Sequence, residues 1–131
     1  MADGVWSGGT YACWGTENKE VPLRVCNPTS PSSRNFELKP LDGIANPYIA
    51  LAGVLGAGLA GIKEHRSLDV KDLSGDKSAA QLNPEERKTM NITQRLPLNW
   101  EAGREALAND DSLRKILGRA FIDKYLAVNK V

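Results

Sequence analysis

Two kinds of patterning divide the chain. From Thr10 to Leu41 apolar residues come in short runs broken by polar turns, and from Asn46 onward they return mostly at helical spacing. The first part predicts three strands. TYACW (Thr10 to Trp14) is a short one, followed by the polar turn GTENKE. VPLRVC (Val21 to Cys26) is the second, with Pro22 fitting a strand entry or an edge. After the Pro- and Ser-rich loop NPTSPSSRN, FELKPL (Phe36 to Leu41) alternates, so Phe36 and Leu38 share one face and Glu37 and Lys39 the other.

Asp42-Gly43 then turns the chain. Asn46 caps a helix whose first position is Pro47 and which runs to about His65. Gly53, Gly56, Gly58 and Gly61 each cost that helix roughly 0.5–1 kcal/mol relative to alanine. Such a composition predicts a core helix packed closely on several sides. Residues 66–97 are charged and predict mainly surface loop, with a short helical turn at Asn83-Pro84-Glu85. Asn99 caps a helix over Trp100 to Ala108. Asp111-Ser112 opens another, in which Leu113, Ile116, Leu117, Phe121, Ile122, Tyr125 and Leu126 form an apolar stripe interrupted at Gly118. The expected fold is α+β: a small antiparallel sheet of about three strands, packed against the small-residue-rich helix and two carboxy-terminal helices. Residues 1–9 are expected to be flexible, and residues 10–131 to form a single domain.

Composition narrows the function classes. Seventeen basic and sixteen acidic side chains nearly cancel and are interspersed, so no nucleic-acid partner is expected. The apolar run from Tyr48 to Ile62 is shorter than the about 20 residues a bilayer span requires, so no membrane partner is expected. MADGVWSGG has neither the basic nor the apolar region of a secretory signal, which predicts a cytoplasmic protein with Cys13 and Cys26 reduced; a disulfide between them is the alternative.

Few residues offer chemistry. His65 is the one histidine and sits at a helix end, where it suits a cap or surface role, and the cysteines lack zinc spacing. Neither a nucleophile elbow nor a phosphate-binding P-loop motif is present. Glu37 can offer a hard cation such as Mg²⁺ or Mn²⁺ one carboxylate, or it can lie on an ordinary solvated strand face. Lys19, Arg24, Arg34 and Lys39 fall on successive strands or their loops. They converge as an anion site if the strands pair, and are otherwise scattered surface charge.

Three segments carry a family resemblance that covers about residues 10–130. WGTENKEVPLRV resembles the part of glutamine synthetases with E-N-R followed by P-x-R. RNFELKPLDGIANPYIALAGVLGAGLAGI resembles their R-R-x-E-x-R-x-x-D-x-x-A-N-P-Y segment and the helix after it. LPLNWEAGREALANDDSLRKILGRAFIDKYLAVNK resembles their closing helices. The wording DGIANPY and TENKE is most similar to the fungal glutamine-synthetase-like branch. That family uses ATP and divalent metal to phosphorylate glutamate, after which ammonia displaces phosphate.

By position the resemblance implies that Glu37 is a metal ligand, Arg24 a nucleotide-phosphate contact, Lys19 a group serving the transferred phosphate, and Lys39 a holder of the substrate carboxylate. Lys19, Lys39 and Asn35 all stand where the family has arginine, with Arg34 beside Asn35. A lysine lacks the bidentate fork of arginine. The family's amino-terminal domain, its other metal ligands and its nucleotide-base pocket belong to parts that this resemblance does not cover. Ordinary ligase activity by these residues alone is therefore not expected. No cofactor is fixed by them: ATP with Mg²⁺ or Mn²⁺ enters only if another chain completes the site. The alternative is a repurposed biosynthetic enzyme acting on a small molecule without ATP. It would use a pocket of Trp14, Lys19, Arg24, Glu37 and Lys39, with Glu37 as acid or base. Uncovered strand edges predict a homo-oligomer, a dimer or larger.

Overall fold

The computed structural model describes residues 2–4 and 8–129. The fold is α+β, as the patterning predicts. It comprises two compact units, Met1–Leu41 with Leu68–Leu98, and Asp42–Ser67 with Asn99–Val131.

The first unit holds three strands in the order β1-β2-β3: β1 Trp14–Thr16, β2 Leu23–Cys26 and β3 Asn35–Leu38. β2 and β3 are antiparallel, with Leu23 opposite Leu38, Arg24 opposite Glu37, Val25 opposite Phe36 and Cys26 opposite Asn35. β1 runs parallel to β2, Gly15 lying beside Arg24, so the sheet is mixed rather than purely antiparallel. Parallel neighbours ordinarily need a long crossover, usually helical. Here residues 17–22 suffice, because Asn18 ties the connection down from inside. Asn18 is fully buried. Its Nδ2 donates to the Leu73 and Lys77 carbonyls at 2.7 and 2.9 Å, and its Oδ1 accepts the Glu20 N–H at 2.8 Å.

Residues 70–73 run along the outer edge of β1. The Leu73 N–H donates to the Trp14 carbonyl at 3.1 Å, and the Thr16 N–H to Asp72 Oδ1 at 2.8 Å. Gly15 is required by this approach, since a Cβ there would stand 2.2 Å from the Leu73 carbonyl oxygen. The core of the unit is Cys13, Val21, Leu73, Ala79 and Ile92, with Tyr11, Val70, Leu82 and Met90 packed against it. Three of those five buried residues come from the segment expected to be mainly surface loop. That segment also forms a short 3₁₀ turn at Ala79–Gln81 and helix α2, Pro84–Thr89, opened by an Asn83 capping box. Both cysteines are free, and burial pushes the Cys13 thiol up to about 11. The expected flexible start lies partly outside the described residues, at 1 and 5–7. Of the rest, Gly8 and Gly9 are buried, and Asp3 pairs with Arg95 at 2.8 Å.

In the second unit α1 spans Pro47–Lys63, with Asn46 accepting the N–H groups of Tyr48 and Ile49. α3 spans Trp100–Asn109, α4 Asp111–Leu117 and α5 Arg119–Val128. The stripe read as one interrupted helix is two, because Gly118 stands at φ 89°, outside helical geometry. α1 packs on α4, and at Gly56 the backbones come so close that a Cβ would meet Ile116 Cγ2 at 2.5 Å. Packing of α1 on several sides is not found, since none of its residues is buried. Arg104 ties α3 to α5 by donating to the Leu126 carbonyl at 2.8 Å and to that of Asn129. No helix among the described residues is long and apolar enough to cross a membrane.

The tightest test of the first unit is Asn18→Ala. It leaves the buried Leu73 carbonyl, and the carbonyl of exposed Lys77, without their Asn18 donor, and the expected loss is about 1–3 kcal/mol in urea unfolding. A change under 0.3 kcal/mol would contradict the role given to Asn18.

Candidate functional site

The antiparallel register builds the site. A strand places residues i and i+2 on one face, and directly opposed residues share a face. Asn35, Glu37 and Lys39 therefore stand on the side where Arg24 and Cys26 stand. Arg24 Nη1 donates to Glu37 Oε2 at 3.3 Å. Lys39 continues the ladder through its N–H to the Pro22 carbonyl at 2.9 Å, and its Nζ donates to the Lys19 carbonyl. Glu37, Arg24, Lys39 and the Lys19 carbonyl are thus brought to one face and edge of the sheet, so of the four cations expected to converge Arg24 and Lys39 are placed there by their contacts.

Three other predicted residues are directed elsewhere. Trp14 lies beside Leu23, which faces Leu38, so it belongs to the opposite, apolar face; its indole N–H donates to the Val70 carbonyl at 2.8 Å. Arg34 folds back on its own loop, donating through Nε to the Pro28 carbonyl at 3.0 Å. Asn35 Nδ2 donates to the Ser33 carbonyl at 3.0 Å. In the second unit a cavity of about 720 Å³ is lined by Trp100, Phe121 and Tyr125 among others, and holds none of the predicted residues.

Glu17 is the site residue that sequence reasoning passed over. Its Oε2 accepts Arg24 Nη2 at 2.8 Å, closer than Glu37 does, and its Oε1 accepts the Asn27 N–H at 2.5 Å. The Arg24 hydrogen bond, then the Asn27 amide, hold the Glu17 carboxyl below the ordinary glutamate range, and Glu17 in turn raises the Arg24 guanidinium. The available signals were its place in GTENKE, two residues before Lys19, and its position as the glutamate of the E-N-R pattern. Arg24 Nε is buried and has no partner among the described residues.

The donor set does not by itself fit a metal ion. Glu37 Oε2 is engaged by a guanidinium, and among the described residues no group of three or more His, Cys, Asp or Glu side chains could hold a cation. Within this chain Glu37 is at most one ligand of a larger set.

The sequence that builds this face matches one enzyme domain along its whole length. The family model of the glutamine synthetase catalytic domain matches residues 1–131, and the chain belongs to that family. It is 39% identical over 130 residues to the fungal protein fluG of Emericella nidulans, covering 99% of this chain and 14% of fluG. Identity is 35% over 126 residues to the gamma-glutamylpolyamine synthetase of Streptomyces coelicolor, covering 94% and 26%, and 34% over 135 residues to the type-1 glutamine synthetase 1 of Dictyostelium discoideum, covering 96% and 24%. The chain spans between about a seventh and a quarter of the length of these relatives.

The lowered Glu17 pKa fixes a pH response. Its stabilising contact is complete above the ordinary glutamate value of 4.5 and is lost as pH falls through the lower folded value. The Asn27 amide proton, followed by NMR, is expected to titrate with a midpoint below 4.5. A midpoint at or above 4.5 would contradict the contact.

Proposed function

We propose that this chain is a catalytic segment of a glutamate–ammonia ligase-family site and does not carry out ATP-dependent ligation by itself. The observation that carries this reading is the pairing of Glu37 with Arg24 in a face with too few oxygen and nitrogen ligands for the two-metal arrangement of such chemistry. In the complete site Glu37 would contribute one carboxylate to a metal. Arg24, with Lys19 and Lys39, would place positive charge near a phosphate or substrate carboxylate, a remnant of an ATP-binding surface. Arg34 and Asn35 are bound to their own loop and would have to swing out to join it.

The other ligands would come from polypeptide outside these residues, and self-association, proposed separately, would cover apolar surface rather than supply them. The apolar surface of the chain supports association: Phe36 is 68% exposed, Tyr48 84% and Ile62 72%. Within α1 the exposed Tyr48, Leu51, Leu55, Leu59 and Ile62 recur at helical spacing, so they form one apolar stripe of the kind that marks an interaction surface. A homo-oligomer, a dimer or larger, is the assembly proposed, and its two free cysteines suit a cytoplasmic setting. The glutamine-forming and gamma-glutamylpolyamine-forming names of the relatives leave the acceptor of the complete site open between ammonia and an amine.

With ATP, Mn²⁺, glutamate and ammonium, the purified chain is expected to form no phosphate above the blank. Sedimentation of the same sample is expected to show a dimer or larger species. Phosphate release that depends on all four components and disappears in Glu37→Gln would overturn the proposal. Turnover of a small molecule without ATP, lost in the same variant, would establish instead the stand-alone enzyme with Glu37 as acid or base.

A further inference from the structure

Arg24 has the planar donor fork of an oxyanion receptor, and carboxylates of this chain already hold both of its terminal nitrogens. A guanidinium binds phosphate or carboxylate through paired N–H groups in a planar fork. Here Nη2 is taken by Glu17 at 2.8 Å and Nη1 by Glu37 at 3.3 Å, while the buried Nε points at no acceptor among the described residues. The two carboxylates are not equivalent. Glu37 holds Arg24 through one oxygen at the longer distance. Glu17 uses both oxygens, one on Arg24 and one on the Asn27 N–H.

The backbone around that contact is unusual. Glu17 stands at φ 53°, a left-handed conformation that glutamate seldom adopts, and Asn27 at φ 51°, which asparagine tolerates. A single carboxylate spans these two left-handed residues, and the Glu17 N–H donates to the Val25 carbonyl at 3.0 Å, fixing the residue against β2. The Arg24 side chain is 23% exposed while its Nε is buried, so an oxyanion reaches the edge formed by Nε and Nη2 only when a group covering it moves.

We propose that Glu17 is an internal latch on Arg24: an oxyanion of the phosphate or pyrophosphate class occupies the Arg24 fork only when the Glu17 carboxylate is displaced from it. This deepens the reading above, in which Arg24 is one of the site's cations, by naming the group that keeps it occupied. Displacement leaves Nη2 and the orphaned Nε on one edge of the guanidinium, the pair of donors that two oxygens of one phosphoryl group can accept. It also frees a constraint on the 17–22 connection.

The test is calorimetry of the full chain with inorganic pyrophosphate at neutral pH, which needs neither ATP nor turnover. Its failure is therefore separate from failure of the ligase reading. Glu17→Gln keeps an oxygen for the Asn27 N–H and removes the charge. Glu17→Gly removes the side chain and suits the left-handed backbone, so one variant stays folded if the other does not. The wild-type chain is expected to bind weakly, and either variant about tenfold or more tightly, in line with loss of one competing charge-assisted hydrogen bond. Adding Arg24→Gln to the variant that binds is expected to return affinity to the wild-type level. Binding within twofold across wild type and both single variants would overturn the latch. So would a gain that survives removal of the Arg24 charge.

Discussion

The antiparallel pairing of β2 with β3 is the constraint on which the site depends. Strand periodicity is two, so a slip of one residue would carry Glu37 to the opposite face and set Arg24 against an apolar neighbour. With Arg24 opposite Glu37, the charged positions of LRVC and FELK fall on one face and the apolar Leu23, Leu38 and Trp14 on the other. The parallel strand β1 adds to this face only Gly15, whose missing side chain makes room for the Leu73 backbone. The charged group is therefore bounded on that side by main chain. Asn18 matters for the same reason: it holds the short connection between β1 and β2, and so sets where Glu17 meets Arg24 and where the Lys19 carbonyl meets Lys39.

Electrostatics then decides what the face offers. Arg24 between two carboxylates is a net negative arrangement rather than an open cationic pocket, with the shorter contact going to Glu17. Such exposed pairs add little to stability. Their consequence is positional, since they settle which nitrogen and which carboxylate oxygen remain available. Among the residues the family resemblance brings forward, Glu37, Arg24 and Lys39 share a neighbourhood, while Trp14, Arg34 and Asn35 are committed to backbone carbonyls elsewhere. The second unit has a different character. Its buried core is Ile122 alone among the described residues, and α1 carries leucines and isoleucine largely in the open. A helix apolar on every side belongs inside a larger body. The small share of the relatives' length that this chain spans is consistent with that.

Much of this was legible in the residues. Alternation in FELK gave β3 and its charged face, Asn46-Pro47 gave the start of α1, and Asn99 gave that of α3, because caps and period-two patterns are local signals. Other features were not legible, because the partners that create them are distant in sequence. Leu73, Ala79 and Ile92 read as isolated apolar residues in a charged stretch, yet irregular segments bury single side chains without any period to announce them. The short connection between β1 and β2 depends on Asn18 reaching carbonyls more than fifty residues away. Glu17 looked like an ordinary turn residue, and only the left-handed turn and the register beside it reveal its hold on Arg24.

The register is open to direct measurement. Because the Lys39 N–H bonds to the Pro22 carbonyl, alternation along the ladder makes Leu23–Leu38 and Val25–Phe36 the closely approaching, non-hydrogen-bonded pairs. Nuclear Overhauser spectra should show strong contacts between the α-protons of Leu23 and Leu38 and between those of Val25 and Phe36. Strong α-proton contacts from Arg24 to Leu38 or Phe36 would place Glu37 on the other face and contradict the account.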